Sequence, residues 1–271
     1  MFDINITRFP NGSTNSRDTE TLSDLIVEDR TKVADYTDDF FTFNPADFVT
    51  GPVGAAGGTT FAAVDGDCGI IQAVTNAVAF GGWTLRPVNR SFTLTPGLRV
   101  FGHFRCSADG PVDIIVGLIN NSTTGSGIFT SGIINSGTWV YASGANGQVN
   151  VFTATQSNLT TNQIVPGVLT LNPSFATPFV FKFYWDGGVY GAAPGGRIVW
   201  EVSGAGAQVP VRVSFGGTAA TPLPPGFPAT TLLWPSVGFM NPTPSAVARS
   251  CNIDLISIIK ERVNVLMTPP V

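Results

Sequence analysis

The chain has 271 residues and a formal net charge of −4, with 12% charged and 43% hydrophobic residues. This balance excludes an intrinsically disordered chain, whose signature is low hydrophobicity with high charge. The 14 basic residues are scattered, so nucleic acid is not an expected partner, because phosphate neutralisation needs clustered Lys and Arg.

The start, Met1-Phe2-Asp3-Ile4-Asn5, has neither a basic n-region nor an apolar h-region, so no secretion signal is expected. Residues 1–35 carry many charges and few apolar anchors: Phe2, Ile4, Ile6, Phe9, Leu22, Leu25, Ile26 and Val33. Asn11-Gly12 marks a turn, and Thr21–Val27 suits a short helical turn. Such a segment rarely folds alone; it either remains disordered or becomes ordered by lying on a partner. It reads as an extended N-terminal arm.

From Tyr36 onward the pattern is β. Runs rich in Val, Ile, Phe, Thr and Trp alternate with clusters of Gly, Pro, Asn and Ser. Strands are expected at Tyr36–Phe43, Cys68–Val74, Phe80–Leu85, Leu98–Cys106 and Val112–Ile119. Further strands are expected at Gly127–Ile134, Thr138–Ser143, Gln148–Thr155 and Phe179–Asp186. The last four are Gly196–Val202, Gln208–Phe215, Leu232–Met240 and Cys251–Lys260. Ile253–Ile259 is nearly continuous apolar, which fits either a strand buried on both faces or one edge of a helix. The 31 Gly and 20 Pro argue against long helices, and no run approaches the ~20 apolar residues that span a bilayer, so no membrane partner is expected. The Pro-rich stretch Thr221–Pro228 reads as a stiff surface loop. Closely spaced strands with no composition break make 36–262 one all-β sandwich or barrel, followed by a tail at 263–271.

The chemistry-bearing residues are few. His103 is the single histidine, which excludes any multi-histidine zinc site. The four glutamates, Glu20, Glu28, Glu201 and Glu261, are scattered and form no E-x-D-x-x-E run, whereas a retaining glycosidase needs two carboxylates a few ångströms apart. Asp65-Gly66-Asp67 is read as a polar turn, with a Ca²⁺ loop as the sharper alternative. No cofactor is expected. Cys68, Cys106 and Cys251 fit buried reduced thiols, or one disulfide plus a free thiol. The five Trp are expected mostly in the core. Trp139 and Trp185 beside Asp186 are the candidates for stacking on a sugar.

Several motifs occur in a telling order. Arg8-Phe9-Pro10-Asn11-Gly12 is followed by Thr31-Lys32-Val33, Tyr36-Thr37-Asp38-Asp39-Phe40 and Gly69-Ile70-Ile71. Phe92-Thr93-Leu94-Thr95-Pro96-Gly97 and Asp113–Leu118 come next, then Phe181–Gly187 and Ile253-Asp254-Leu255-Ile256. In this order they resemble tailed-phage, largely podophage, virion structural proteins, and the body resembles concanavalin-like, laminin-G-like jelly rolls. The resemblance implies a two-sheet antiparallel jelly-roll sandwich with an extended N-terminal arm and no catalytic residues. It implies a capsid decoration or cement protein on the outer capsid surface of the virion. Its expected partners are the major capsid protein and neighbouring copies of itself, as a dimer or trimer. Phe2, Ile4, Ile6, Phe9, Pro10, Leu22, Leu25 and Lys32 are then the candidate docking residues of the arm. The alternative is a carbohydrate-binding head-fibre or tail protein.

Overall fold

The computed structural model describes residues 33–40, 43–53, 61–64, 69–95, 97–120, 137–145, 148–155, 158–170, 178–185, 196–204, 207–215, 231–242 and 247–261. These residues form fifteen strands and one 3-10 turn, Pro45–Asp47, where Asn44 Oδ1 accepts from the Ala46 N–H at 3.2 Å. The strands are β1 (Val33–Asp38), β2 (Phe48–Val53), β3 (Phe61–Val64), β4 (Ile70–Val74), β5 (Gly82–Pro87), β6 (Val100–Ala108), β7 (Asp113–Asn120) and β8 (Gly137–Ala142). They continue as β9 (Gln148–Thr155), β10 (Asn158–Thr170), β11 (Phe179–Trp185), β12 (Ile198–Gly204), β13 (Ala207–Phe215), β14 (Leu233–Met240) and β15 (Ser250–Glu261).

The expected two-sheet antiparallel sandwich is the fold observed. An eight-stranded sheet runs β13-β12-β11-β6-β15-β4-β3, with β1 also on β15, and a seven-stranded sheet runs β10-β9-β8-β7-β14-β5-β2. Side chains alternate across each strand, and the inward sets form one core. Phe104, Phe181, Phe183, Trp185, Trp200 and Ile256 from the larger sheet meet Trp83, Leu85, Val116, Leu118 and Phe239 from the smaller one. Trp200 Nε1 donates to Thr138 Oγ1 at 2.8 Å, so a buried indole on β12 is satisfied by a buried hydroxyl on β8 of the opposite sheet.

The structure corrects the expected strands in three ways. Three strands were not anticipated: β2, β3 and β10. All three are sheet edges, where one flank needs no partner and Pro or Gly is tolerated. Accordingly β2 contains Gly51-Pro52, and β10 contains Pro166-Gly167 and shifts register three times against β9. Second, the first strand begins at Val33, so three residues assigned to the arm belong to the sheet, Val33 pairing with Glu261 and Asp38 with Ile256. It also ends at Asp38 rather than Phe43, because Phe40 takes φ +56 and turns its ring into the core. That conformation is costly for a bulky residue, and Asp38 Oδ1 supports it by accepting the Phe40 N–H at 2.9 Å.

Third, β15 is a strand buried on one face only. A bulge between Ile253 and Leu255 shifts the register against β6, so the inward residues are Cys251 and Ile253, then Ile256 and Ile258. A bulge inserts one residue and breaks the period of two, which is why the stretch looked continuously apolar. The arm anchors Phe2, Ile4, Ile6, Phe9, Pro10, Leu22, Leu25 and Lys32 lie outside the described residues, as do the strand expected at 127–134, the 221–228 loop and the 263–271 tail.

Candidate functional site

The sugar-stacking candidates are placed where a ligand does not reach them. Trp185 is 1% exposed in the core, and its Nε1 donates to the Thr95 carbonyl at 3.1 Å. Trp139 points outward from β8 but is only 4% exposed. It lies over Gly117 of β7, its cross-strand partner, where an added Cβ would sit 2.5 Å from the Trp139 Cβ. The glycine is therefore needed to seat the ring. Sequence composition could flag large aromatics, but exposure depends on what each strand packs against. Asp186, Asp65 and Asp67 lie outside the described residues.

The outward face of the seven-stranded sheet carries the polar residues the sequence reading missed. Asp113, at the start of β7, is buried; its Oδ1 accepts the Gly144 N–H at 2.8 Å, and it also bonds the Tyr141 hydroxyl. Burial pushes the Asp113 carboxyl above its ordinary range, and the two hydrogen bonds pull the other way. Burial and the neighbouring Asp113 both raise Tyr141, whose hydroxyl also meets Ser143. Asp113 thus pins the turn that follows β8. Tyr141 is half-buried beside it. Further across the same sheet the Arg86 guanidinium stands 5.4 Å from the half-buried Trp234 ring, whose Nε1 donates to the Val88 carbonyl at 3.3 Å. Spacing signals part of this, since Trp139 and Tyr141 share a face at i and i+2, but only the β7–β8 register brings Asp113 to Tyr141.

The eight-stranded sheet is different outside. Thr37, Ser257, His103, Lys182 and Glu201 stand in one register row across β1, β15, β6, β11 and β12. The two glutamates of the described residues are committed to cations: Glu201 to Lys182 at 3.8 Å, and Glu261 to Arg99 through Nε at 2.6 Å. Cys106 and Cys251 are free and buried on adjacent strands, burial raising both thiols, in line with the reduced-thiol expectation. Cys68 lies outside the described residues.

Four large apolar side chains are exposed on the 74–81 turn and the 247–250 segment: Val74, Val78, Phe80 and Val247, Phe80 by 50%. The 75–81 turn is stapled by Asn241, itself fully buried, whose amide donates to the Asn76 carbonyl at 2.5 Å and to the Val78 carbonyl at 3.1 Å. Thr75 Oγ1 donates to Asn241 Oδ1 at 2.7 Å and accepts from the Arg249 N–H at 2.8 Å, joining the turn to the segment that bears Val247. Phe80 is held at φ +60, so its ring is displayed from a strained, fixed backbone.

No protein-family model matches the sequence, and no curated protein matches it. Solved structures do match its fold. Winged bean acidic lectin complexed with methyl-α-D-galactose aligns with TM-score 0.58 at 6% identity, over 84% of this chain and 98% of the lectin. Peanut lectin with a nonapeptide aligns with TM-score 0.54 at 9% identity, over 84% and 97%. A Shewanella oneidensis protein of unknown function aligns with TM-score 0.50 at 17% identity, over 92% and 95%. The chain is a legume-lectin-like, concanavalin-like jelly-roll sandwich.

Proposed function

We propose that the protein is a non-enzymatic structural component of a tailed-phage virion, a decoration protein that docks on the major capsid protein shell and stabilises it. The observation that carries this reading is the set of exposed apolar side chains around Phe80. Exposed apolar side chains clustered on one surface mark interaction sites, and here the buried Asn241 holds the turn that bears Val78 and Phe80 in place before any partner arrives. The order of family-like motifs along the sequence supports the same reading. So does the joining of the arm to the body: β1 occupies the stretch of the β15 edge that β4 leaves open, so force on the preceding residues reaches the sandwich through a sheet strand.

The test is co-sedimentation with purified heads. Deleting residues 1–32, which spares β1, leaves a folded sandwich with weakened head binding. Phe80→Ser with Val78→Ser leaves stability nearly unchanged and also weakens binding. Undiminished binding by both variants sinks the reading.

A second reading is carbohydrate binding by the outward face of the seven-stranded sheet. The half-buried Tyr141 beside Asp113, and Trp234 beside Arg86, favour it. A glycan array decides: a hit that Trp234→Ala abolishes supports this reading, and an array without hits removes it.

A further inference from the structure

Lys260 differs from the other paired cations described here. Arg99 is matched by Glu261, Arg105 by Asp254 and Lys182 by Glu201. Lys260 has no carboxylate among the described residues. Its Nζ donates instead to Thr93 Oγ1 at 2.5 Å and Thr95 Oγ1 at 3.1 Å, and those two hydroxyls are 2.9 Å apart. The neighbouring Glu261 does not supply the missing charge, because one oxygen takes the Arg99 Nε and the other takes the Arg99 N–H at 2.8 Å. Lys260 is about half-buried, and burial lowers its ammonium pKa.

The arrangement is held in place from below. The Thr95 carbonyl accepts both the buried Trp185 Nε1 and the Leu98 N–H at 3.3 Å. Phe92 is bridged to Leu233 by two backbone hydrogen bonds of 2.7 and 2.8 Å. The Thr93–Thr95 hydroxyls are thus fixed by both sheets. Thr93, Thr95 and Lys260 are all partly exposed, and Gly97, two residues on from Thr95, is exposed at φ +80, where a Cβ would meet nothing within 4 Å.

We propose that Lys260, Thr93 and Thr95 form a binding site for a single oxyanion, a carboxylate or phosphate group. An ammonium has three N–H donors, and two are used here by neutral hydroxyls. A partly desolvated charge without a counter-ion is costly, and an entering oxyanion relieves that cost while accepting charge-assisted hydrogen bonds. Trp185 has a role in this site, as the positioning residue that fixes Thr95. The inference is independent of the capsid and carbohydrate readings.

The test titrates the full-length chain with sodium phosphate and, separately, sodium acetate, against sodium chloride at matched ionic strength. The readouts are the thermal midpoint and the side-chain NMR signals of Lys260. The expected result is a saturable rise in the midpoint, with movement of the Lys260 ε-methylene resonance. Lys260→Met should lose the saturable rise in the midpoint, and Thr93→Val with Thr95→Val should bind about tenfold more weakly or worse, read also by the Lys260 resonance. Saturation by either anion supports the site and says which group it prefers. The proposal fails if chloride reproduces the response, or if Lys260→Met responds like the parent. Should Lys260→Met not fold, the hydroxyl-free variant decides, and an unchanged affinity there also overturns the site.

Discussion

The two sheets share one core and present opposite outward faces. On the eight-stranded sheet, strands such as β6 and β11 alternate strictly between buried and partly exposed residues, and the outward row from Thr37 to Glu201 is polar. On the seven-stranded sheet β7 is buried along both faces, and outward Ile115, Ile119, Trp139 and Met240 are as shielded as core residues. Facing outward is therefore not the same as facing water. A side chain's burial follows from the packing of its whole sheet face, not from its parity in the strand.

Mutations can break this comparison. Trp139→Ala should cost about 3–5 kcal/mol, the range of a core aromatic, although it lies on an outward face; a urea midpoint close to the parent's would put Trp139 back among surface residues. Next in size, Asp113→Ala strands the Gly144 N–H and the Tyr141 hydroxyl and should cost about 1–3 kcal/mol. Asp113→Asn keeps an acceptor and should cost less.

The pH dependence sharpens the Asp113 case. Its folded pKa is raised from the ordinary 3.8. The folded state then binds the proton more tightly than the unfolded one, so this group's contribution is fully present below 3.8 and is lost as pH rises through the folded value. Stability curves of the parent and Asp113→Asn should converge as the pH rises if the parent starts ahead in acid, or diverge if it starts behind. A constant difference between pH 3 and 7 would mean that the carboxyl is not perturbed. The smallest effect is expected on the polar face. A double-mutant cycle on Lys182 and Glu201, where the lysine side chain is 44% exposed, should give about 0.2–1 kcal/mol and shrink with salt. A coupling several times larger would mean that the face is covered.

Interior strands were legible because each has two neighbours and a fixed pattern: Gln148–Thr155 is β9 as expected, and Phe179–Trp185 falls one residue short of expectation. Edge strands β2, β3 and β10 escaped notice because a single neighbour leaves their composition loose, whereas the edge strand β13, rich in Val, was expected at Gln208–Phe215. The candidate site was harder to read. Trp139 and Trp185 stood out as large aromatics, yet the first seats on a glycine and the second holds a carbonyl. No local pattern marked Asp113, Tyr141, Lys260, Thr93 or Asn241 as interacting residues, and the contacts that join Asp113 to Tyr141, Lys260 to Thr93 and Asn241 to Thr75 span 28, 167 and 166 residues of chain.

Composition and turn punctuation were by themselves enough for an all-β sandwich or barrel with most tryptophans inside, because burying apolar residues every second position leaves a low-charge, glycine-rich chain few other solutions, and the two-sheet arrangement was implied by the motif resemblance. Tertiary structure alone decided that β1 begins at Val33, that β15 contains a bulge, that Trp139 is shielded on an outward face, and that Lys260 meets two hydroxyls and, among the described residues, no carboxylate. Each of these depends on cross-strand register, and register is set by the packing of distant segments rather than by any run of neighbouring residues.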